Sequence, residues 1–171
     1  MGFNLLVTTA RGLEHKASSE LFALLTSLGD SPVIEKTEVQ GLLKVKTNLS
    51  PDKVILEVAR VVKEEPWRIR YILRMIPIEM VVRSLEELSE AAKTLSAKMR
   101  KDETFRVTVE KRHTNLSSRE VIEAVASVID QKVDLKNPDW IVQVEIVGPE
   151  IGISILKDEQ ILSTVKAKRE G

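Results

Sequence analysis

Residues 104–130 read TFRVTVEKRHTNLSSREVIEAVASVID, and this stretch decides the fold of the second half of the chain. Its beginning alternates apolar and polar residues with the period of a β-strand, which we predict over residues 104–110. Its end repeats apolar residues at helical spacing, which predicts a helix over residues 118–131. Ser117 is followed three residues later by Glu120, the spacing of a capping box that opens such a helix.

The segment KRHTN joins these two predicted elements and carries three basic or ionisable side chains. The free N–H groups and the positive dipole end of the following helix should point back towards Lys111, Arg112 and His113. A helix N-terminus beside cations can bind an anion, and phosphate is the obvious one. From the residues alone, a phosphate site and an ordinary solvated loop both remain open here. We call residues 111–119 the junction.

The rest of the second half predicts an α+β arrangement of two helices and mainly antiparallel strands. Ser84 is the expected N-cap of a helix that runs to about Arg100. The other predicted elements are a turn at 137–139 and strands at 140–148, 151–157 and 161–168.

The first half predicts strand, helix, strand, strand, helix and strand, which is the split βαβ or ferredoxin-like order. Ser50 and Pro51 mark the start of the second helix. The predicted strands are 3–9, 32–37, 41–47 and 67–79, and the helices cover 10–30 and 51–65. The predicted domains are therefore residues 1–80 and 81–171.

The last strand of the first domain, WRIRYILRMIPIE, predicts a basic stripe. Arg68, Arg70 and Arg74 would share one face, because alternate residues of a strand point the same way about 6.6 Å apart. That spacing is comparable to the distance between successive phosphates, so the stripe could contact a nucleic-acid backbone. The alternative is a half-exposed sheet face whose arginines pair with acidic residues elsewhere in the chain.

The composition limits the classes of function. The 26 basic and 26 acidic residues give no net charge, but residues 93–119 hold eight basic and only three acidic side chains. The absence of cysteine and the presence of only two histidines argue against zinc–thiolate and iron–sulfur sites and against a histidine metal centre. No P-loop, GxGxxG, HExxH or GxSxG motif occurs, so we expect neither an enzyme nor a cofactor. No apolar run approaches the ~20 residues of a membrane span, and the start lacks a signal peptide, so we expect a cytoplasmic protein without a membrane partner.

Residues 104–156 resemble the THUMP domain, an RNA-binding module of tRNA-modifying enzymes. The matching elements are FRV, KRH, a capped helix beginning at SSRE, the turn VDLKNPD and a strand pair ending in GISIL. The preceding RYILRMIPIE, which leads into the helix at Ser84, resembles the ferredoxin-like domain that precedes THUMP domains. The resemblance implies an α+β fold class, with a ferredoxin-like N-terminal domain followed by an α/β THUMP domain.

In that family the THUMP domain usually accompanies a methyltransferase, thiouridine synthetase or deaminase domain, and the paired modules bind the acceptor end of tRNA. No catalytic domain follows up to Gly171, and this layout resembles the stand-alone adaptor that works with a separate RNA acetyltransferase to make acetylcytidine. We therefore expect a non-catalytic adaptor that presents the acceptor stem region of tRNA to a cytidine acetyltransferase. The alternatives are a detached RNA-binding subunit of a tRNA methyltransferase or thiouridine synthetase, and a small-molecule-binding regulatory module.

The resemblance also implies which residues contact RNA. Lys111, Arg112 and His113 lie where THUMP domains present basic residues, and Asn115, Ser117 and Arg119 follow at the helix start. The predicted RNA-binding residues are Lys111, Arg112, His113, Asn115, Ser117, Arg119, Arg68, Arg70, Arg74 and Lys101. No catalytic residue and no metal ligand is expected.

Overall fold

The structure is a computed structural model that describes residues 2–170. It confirms the α+β class, with helices packed on two five-stranded sheets. The chain divides into two compact units. Unit 1 contains the chain up to Pro77 and from Glu159 onwards, and unit 2 contains Ile78–Asp158. No helix within the described residues is long and apolar enough to cross a lipid bilayer.

The helices and strands follow each other in a mixed order. The strands are β1 (Leu5–Thr8), β2 (Val33–Lys36), β3 (Leu42–Lys46), β4 (Arg74–Pro77), β5 (Met80–Val82), β6 (Thr104–Arg112), β7 (Lys132–Val133), β8 (Trp140–Val147), β9 (Glu150–Leu156) and β10 (Leu162–Ser163). The helices are α1 (Glu14–Ser27), α2 (Pro51–Glu64), α3 (Leu85–Leu95), α4 (Ser118–Ala126) and α5 (Thr164–Glu170). Short 3-10 turns lie at Pro66–Arg68, Ser96–Lys98 and Asp158–Gln160.

Unit 1 is an antiparallel sheet in the order β10-β4-β1-β3-β2, with helices on one face. Leu5 and Val7 alternate along β1 and pack into the core with the buried residues of α1 and α2. Helix α1 buries Ala17, Leu21, Leu24 and Leu25, which recur at the spacing of one helical face. Up to β4, the element order is the predicted strand, helix, strand, strand, helix and strand.

The predicted strand over residues 67–79 is wrong in its first half. Pro66–Arg68 form a 3-10 turn, and β4 begins only at Arg74. The Glu20 carboxylate of α1 accepts hydrogen bonds from the backbone N–H groups of Arg70, Tyr71 and Ile72, at 2.8, 3.0 and 3.0 Å. Because those donors are occupied by a side chain, this stretch cannot pair as a strand. The alternating arginine stripe therefore does not form.

The C-terminal residues also differ from their prediction. The expected strand over 161–168 is a two-residue strand, β10, followed by helix α5. Leu162 pairs with Met75 of β4, and the Thr164 hydroxyl donates to the Ile72 carbonyl at 2.7 Å. Ala167 packs against the core of unit 1. These contacts place the C-terminal residues in unit 1, whereas the sequence predicted a second domain running over 81–171.

Unit 2 is a mixed sheet in the order β5-β9-β8-β6-β7, with α3 and α4 packed on one face. Strand β6 is parallel to both β7 and β8, so the strands are not mainly antiparallel around β6 as predicted. Helix α4 follows β6 and packs on it through Val121 and Val125. On the opposite face, β8 buries two polar side chains, Gln143 and Glu145.

Candidate nucleic-acid interface

The chain leaves the sheet at the start of the junction through one residue with a left-handed backbone conformation. Strand β6 ends at Arg112, whose carbonyl accepts a hydrogen bond from the Gly148 N–H at 2.8 Å. His113 then has a φ of 55°, in the left-handed region where histidine is one of the better-tolerated residues. The Thr114 hydroxyl accepts from the Leu116 N–H at 3.2 Å and closes the turn before α4. The chain therefore passes from strand to helix through an ordered turn.

The predicted capping box at the start of α4 is confirmed. The Ser117 hydroxyl accepts from the Glu120 N–H at 3.1 Å, and the Glu120 carboxylate accepts from the Ser117 N–H at 3.2 Å. Helix geometry leaves the N–H groups of Ser118 and Arg119 without an intrahelical acceptor. Together with the positive end of the helix dipole, these two groups can receive an anion such as phosphate.

The two adjacent cations at the end of β6 have different surroundings, because neighbouring strand residues point to opposite faces. The Arg112 guanidinium donates through Nη2 to the Glu145 carboxylate at 2.8 Å, and the two side chains are 16% and 0% exposed. Most of the Arg112 charge is therefore compensated within the fold. Lys111 is exposed and makes no ion pair with any residue between 2 and 170. Lys111 is thus the junction cation that is free to meet a ligand.

Three other predicted residues lie on the exposed part of the junction. His113 and Asn115 are exposed, and Arg119 is 87% exposed. Arg119 pairs with Glu123 at 3.0 Å, but a pair this exposed contributes little stability and can be exchanged for another partner. The junction thus offers Lys111, His113 and Arg119 around the start of α4.

The predicted residue Lys101 is not brought to the junction. It is exposed in the turn before β6, while the junction follows the end of that strand. Nine strand residues separate the two ends of β6 by about 26 Å. Lys101 could therefore contact only a different part of an extended ligand.

The predicted arginines of unit 1 do not share one face. Arg68 pairs with Glu65 at 2.9 Å, and the Arg70 Nε donates to the Trp67 carbonyl at 3.3 Å. Arg74 is the first residue of β4 and is half-buried between its neighbours Thr8 and Ser163. The contacts of these arginines with RNA stay a prediction.

Two features were not predicted from the sequence. The first is the buried partner of Arg112; the signal for it was Glu145, the one charged residue within the strand WIVQVEIV. The second is a groove of about 610 Å³ in unit 1, between α1 and Arg68–Tyr71. It is lined by His15, Lys16, Ser19, Glu20, Ala23, Leu24, Ser27, Arg68, Ile69 and Tyr71.

Comparison with known proteins agrees with the geometry of unit 2. Residues 82–156 match the family model of the THUMP domain. THUMP domain-containing protein 1 of Bos taurus is 29% identical over 121 residues, which cover 64% of this chain and 34% of that protein. The same protein of Homo sapiens is also 29% identical over 121 residues. The matched region thus spans about a third of these curated relatives.

Solved structures share the fold over most of the chain. PH1313 from Pyrococcus horikoshii superposes with a TM-score of 0.64 at 24% identity, covering 90% of this chain and 54% of that one. A 4-thiouridine synthetase in complex with RNA and ATP has a TM-score of 0.59 at 14% identity, covering 94% of this chain and 42% of that one. These likenesses establish a shared fold.

Proposed function

We propose that residues 82–156, which match the family model of the THUMP domain, are a THUMP domain and that this chain binds tRNA. We propose further that it is a non-catalytic adaptor that presents the acceptor stem region to a separate cytidine acetyltransferase, which forms acetylcytidine. The match to the THUMP domain carries the proposal. The resemblance to the stand-alone adaptor of an RNA acetyltransferase supports the choice of an acetyltransferase.

We also infer that unit 1 is the ferredoxin-like module that precedes THUMP domains. Its element order up to β4 and its antiparallel strand order β4-β1-β3-β2 support this assignment. Strand β10 and helix α5 extend that module at the β4 edge.

The junction is the part of the THUMP domain that we expect to meet the RNA backbone. Lys111 supplies an exposed positive charge, and the free N–H groups at the start of α4 supply directed donors for a phosphate oxygen. An acceptor stem is A-form, and its deep, narrow major groove cannot be read by side chains. Recognition should therefore depend on phosphates, 2′-hydroxyl groups and shape, which suits a site made of backbone donors and one mobile cation.

The second candidate is a detached RNA-binding subunit of a tRNA methyltransferase or thiouridine synthetase. The same fold occurs in TrmN of Thermus thermophilus and in the RNA-bound 4-thiouridine synthetase, which favours this alternative. Both candidates share the tRNA-binding step and differ only in the enzyme that receives the tRNA.

The binding step is tested by charge reversal at the junction. We expect Lys111→Glu to lower tRNA affinity about tenfold and to reduce the salt slope of log K by about one, because one phosphate contact is lost. The matched control is Lys132→Glu on β7, an exposed lysine that pairs with Thr104 at the other end of β6. Filter-binding titrations at several salt concentrations measure both variants. Equal affinity of the Lys111 variant and the control would overturn the junction assignment.

The adaptor step is tested by reconstitution. The purified chain, tRNA and acetyl-coenzyme A should give acetylcytidine only when the cytidine acetyltransferase is added. Formation of product by the chain alone would overturn the non-catalytic role. Deletion of the gene should remove acetylcytidine from tRNA; loss of a methylated or thiolated nucleoside would favour the second candidate.

A further inference from the structure

The groove of unit 1 lies between α1 and Arg68–Tyr71. Its apolar lining residues are Ala23, Leu24 and Ile69. Its polar lining residues include His15, Lys16, Ser19, Glu20, Ser27 and Arg68. With about 610 Å³ of open volume, the groove can admit an extended polar ligand.

The carboxylate that lines the groove already has hydrogen-bond partners in the backbone of unit 1. Glu20 is the one carboxylate among the ten lining residues, and it accepts hydrogen bonds from three consecutive backbone N–H groups at 2.8, 3.0 and 3.0 Å. Those three hydrogen bonds fix the Glu20 carboxylate against the backbone of residues 70–72. The other charged or ionisable side chains that line the groove are Lys16, Arg68 and His15, so it offers more cationic than anionic groups to a ligand.

Two cations of the groove are available to a ligand. The Lys16 ammonium lies 5.6 Å from the centroid of the Tyr71 ring and makes no ion pair within residues 2–170. Arg68 pairs with its close neighbour Glu65, and the side chains of that pair are 48% and 39% exposed. A pair so exposed contributes little and can be replaced by a phosphate. Lys16 and Arg68 therefore flank the groove as two exchangeable cations.

The residue next to Arg68 narrows the class of ligand. Trp67 is 64% exposed, an unusual degree for an indole. An exposed aromatic ring beside arginines is the combination that holds single-stranded nucleic acid, since the ring stacks on a base while the cations hold its phosphates. An acidic peptide could pair with the cations, but its carboxylates would offer no base to stack on the Trp67 indole.

We propose that this groove is a second RNA-binding site, which holds the phosphodiester backbone of an unpaired tRNA segment through Lys16 and Arg68, with Trp67 stacked on a base. This inference rests on the proposed tRNA-binding function and adds a subsite to it. The junction contacts the backbone through helix donors and Lys111, while the groove contacts it through side chains alone.

The test is a pair of matched charge reversals. Lys16 is the third residue of α1, and Lys53 is the third residue of α2, where it is exposed and outside the groove. The two changes are matched, because each places an acidic residue in the first turn of its helix and four residues before a glutamate, Glu20 or Glu57. We expect Lys16→Glu to lower tRNA affinity about tenfold and the salt slope by about one. Lys53→Glu, with the same change of charge, should bind as the wild type does.

A footprint of lysine reactivity gives a second readout. An amine-reactive reagent followed by mass spectrometry should show Lys16 protected by tRNA and Lys53 not protected. Equal affinity of the two variants, or equal reactivity of Lys16 with and without tRNA, would overturn the groove as an RNA site. Protection of Lys16 by the partner enzyme in the absence of tRNA would overturn it in favour of a protein contact.

The result also separates this inference from the proposed function. If the wild-type chain does not bind tRNA, the proposed function fails and the groove proposal fails with it. If the wild type binds and Lys111→Glu weakens binding while Lys16→Glu does not, only the groove proposal fails. Thermal melting of the Lys16→Glu and Lys53→Glu variants checks that each is folded.

Discussion

The junction of unit 2 and the segment Pro66–Ile72 of unit 1 are both basic, but their backbones are held in different ways. The junction is held mainly by neighbouring residues, because Ser117 and Glu120 cap their own helix and Thr114 closes its own turn. The segment is held by residues distant along the chain. Its N–H groups donate to Glu20, about fifty residues earlier, and its Ile72 and Ile69 carbonyls accept from Thr164 and Lys168.

This difference explains why one prediction was confirmed and the other was wrong. A capping box is complete within four residues, so its geometry can be read from the sequence. The alternation in WRIRYILRM has the period of a strand, but a strand also needs a partner for its N–H groups. In the segment, the partner of those groups is a side chain and not another strand.

The largest loss of stability should come from breaking the buried ion pair between Arg112 and Glu145. Glu145→Ala leaves the guanidinium of Arg112, whose side chain is 16% exposed, without its partner. We expect a loss of about 3 kcal/mol in the free energy of unfolding, since an uncompensated buried charge is costly. Urea denaturation measures the loss.

The control for that variant is the exposed pair of the same region. Glu123→Ala removes the partner of Arg119, whose side chain is 87% exposed, and should cost less than about 1 kcal/mol. Equal losses of unfolding free energy in the two variants would show that the buried Arg112–Glu145 pair contributes no more stability than the exposed pair.

A smaller loss of stability is expected when the segment Pro66–Ile72 loses its contact with the Glu20 carboxylate. Glu20→Ala removes the acceptor of three backbone N–H groups, and we expect a total loss of about 2 kcal/mol, because water can reach the partly exposed segment and replace the carboxylate. Hydrogen exchange should show faster exchange at Arg70, Tyr71 and Ile72, because those amides become exposed to water. Glu64→Ala, which removes an exposed contact to Arg60, should leave them unchanged. Continued protection of the three amides in the Glu20 variant would show that this carboxylate does not hold the segment.

The smallest effect concerns the helix cap. Ser117→Ala should cost about 1 kcal/mol, because its hydroxyl accepts the Glu120 N–H. Ser50→Ala is the matched control, since Ser50 is the N-cap of α2 but makes no cap hydrogen bond through its side chain. Thermal denaturation of the two variants compares them. A larger loss in the Ser50 variant would mean that the local cap does not organise the junction.

Much of the fold was predictable because it is encoded over short distances. The alternation of Phe105, Val107 and Val109 predicted the core face of β6, and these residues do pack into the core of unit 2. Ser84 was predicted as the N-cap of α3, and its hydroxyl accepts the Glu87 N–H at 3.1 Å. The prediction for the C-terminal residues was wrong because Val165 and Ala167 fit a strand pattern as well as a short helix.

The location of the candidate site could be predicted from the sequence, but which of its basic side chains form ion pairs could not. The sequence indicated a basic turn before a capped helix, and the structure has that turn. The sequence could not indicate that Arg112 forms an ion pair with Glu145, because the two residues are 33 positions apart along the chain. Nor could it indicate that Lys16 and Arg68 line one groove.

The sequence by itself determined the elements whose signals are local: the strand of the junction, its capped helix and the order of elements in unit 1. Only the tertiary structure decided which cations remain available, because an ion pair depends on residues that are distant along the chain. Glu145 compensates the charge of Arg112, Lys111 stays uncompensated, and Lys16 faces a groove whose acid is bound by backbone N–H groups. The physical reason is that the hydrogen bonds of caps and turns close locally, while charge compensation is settled by the packing of the whole unit.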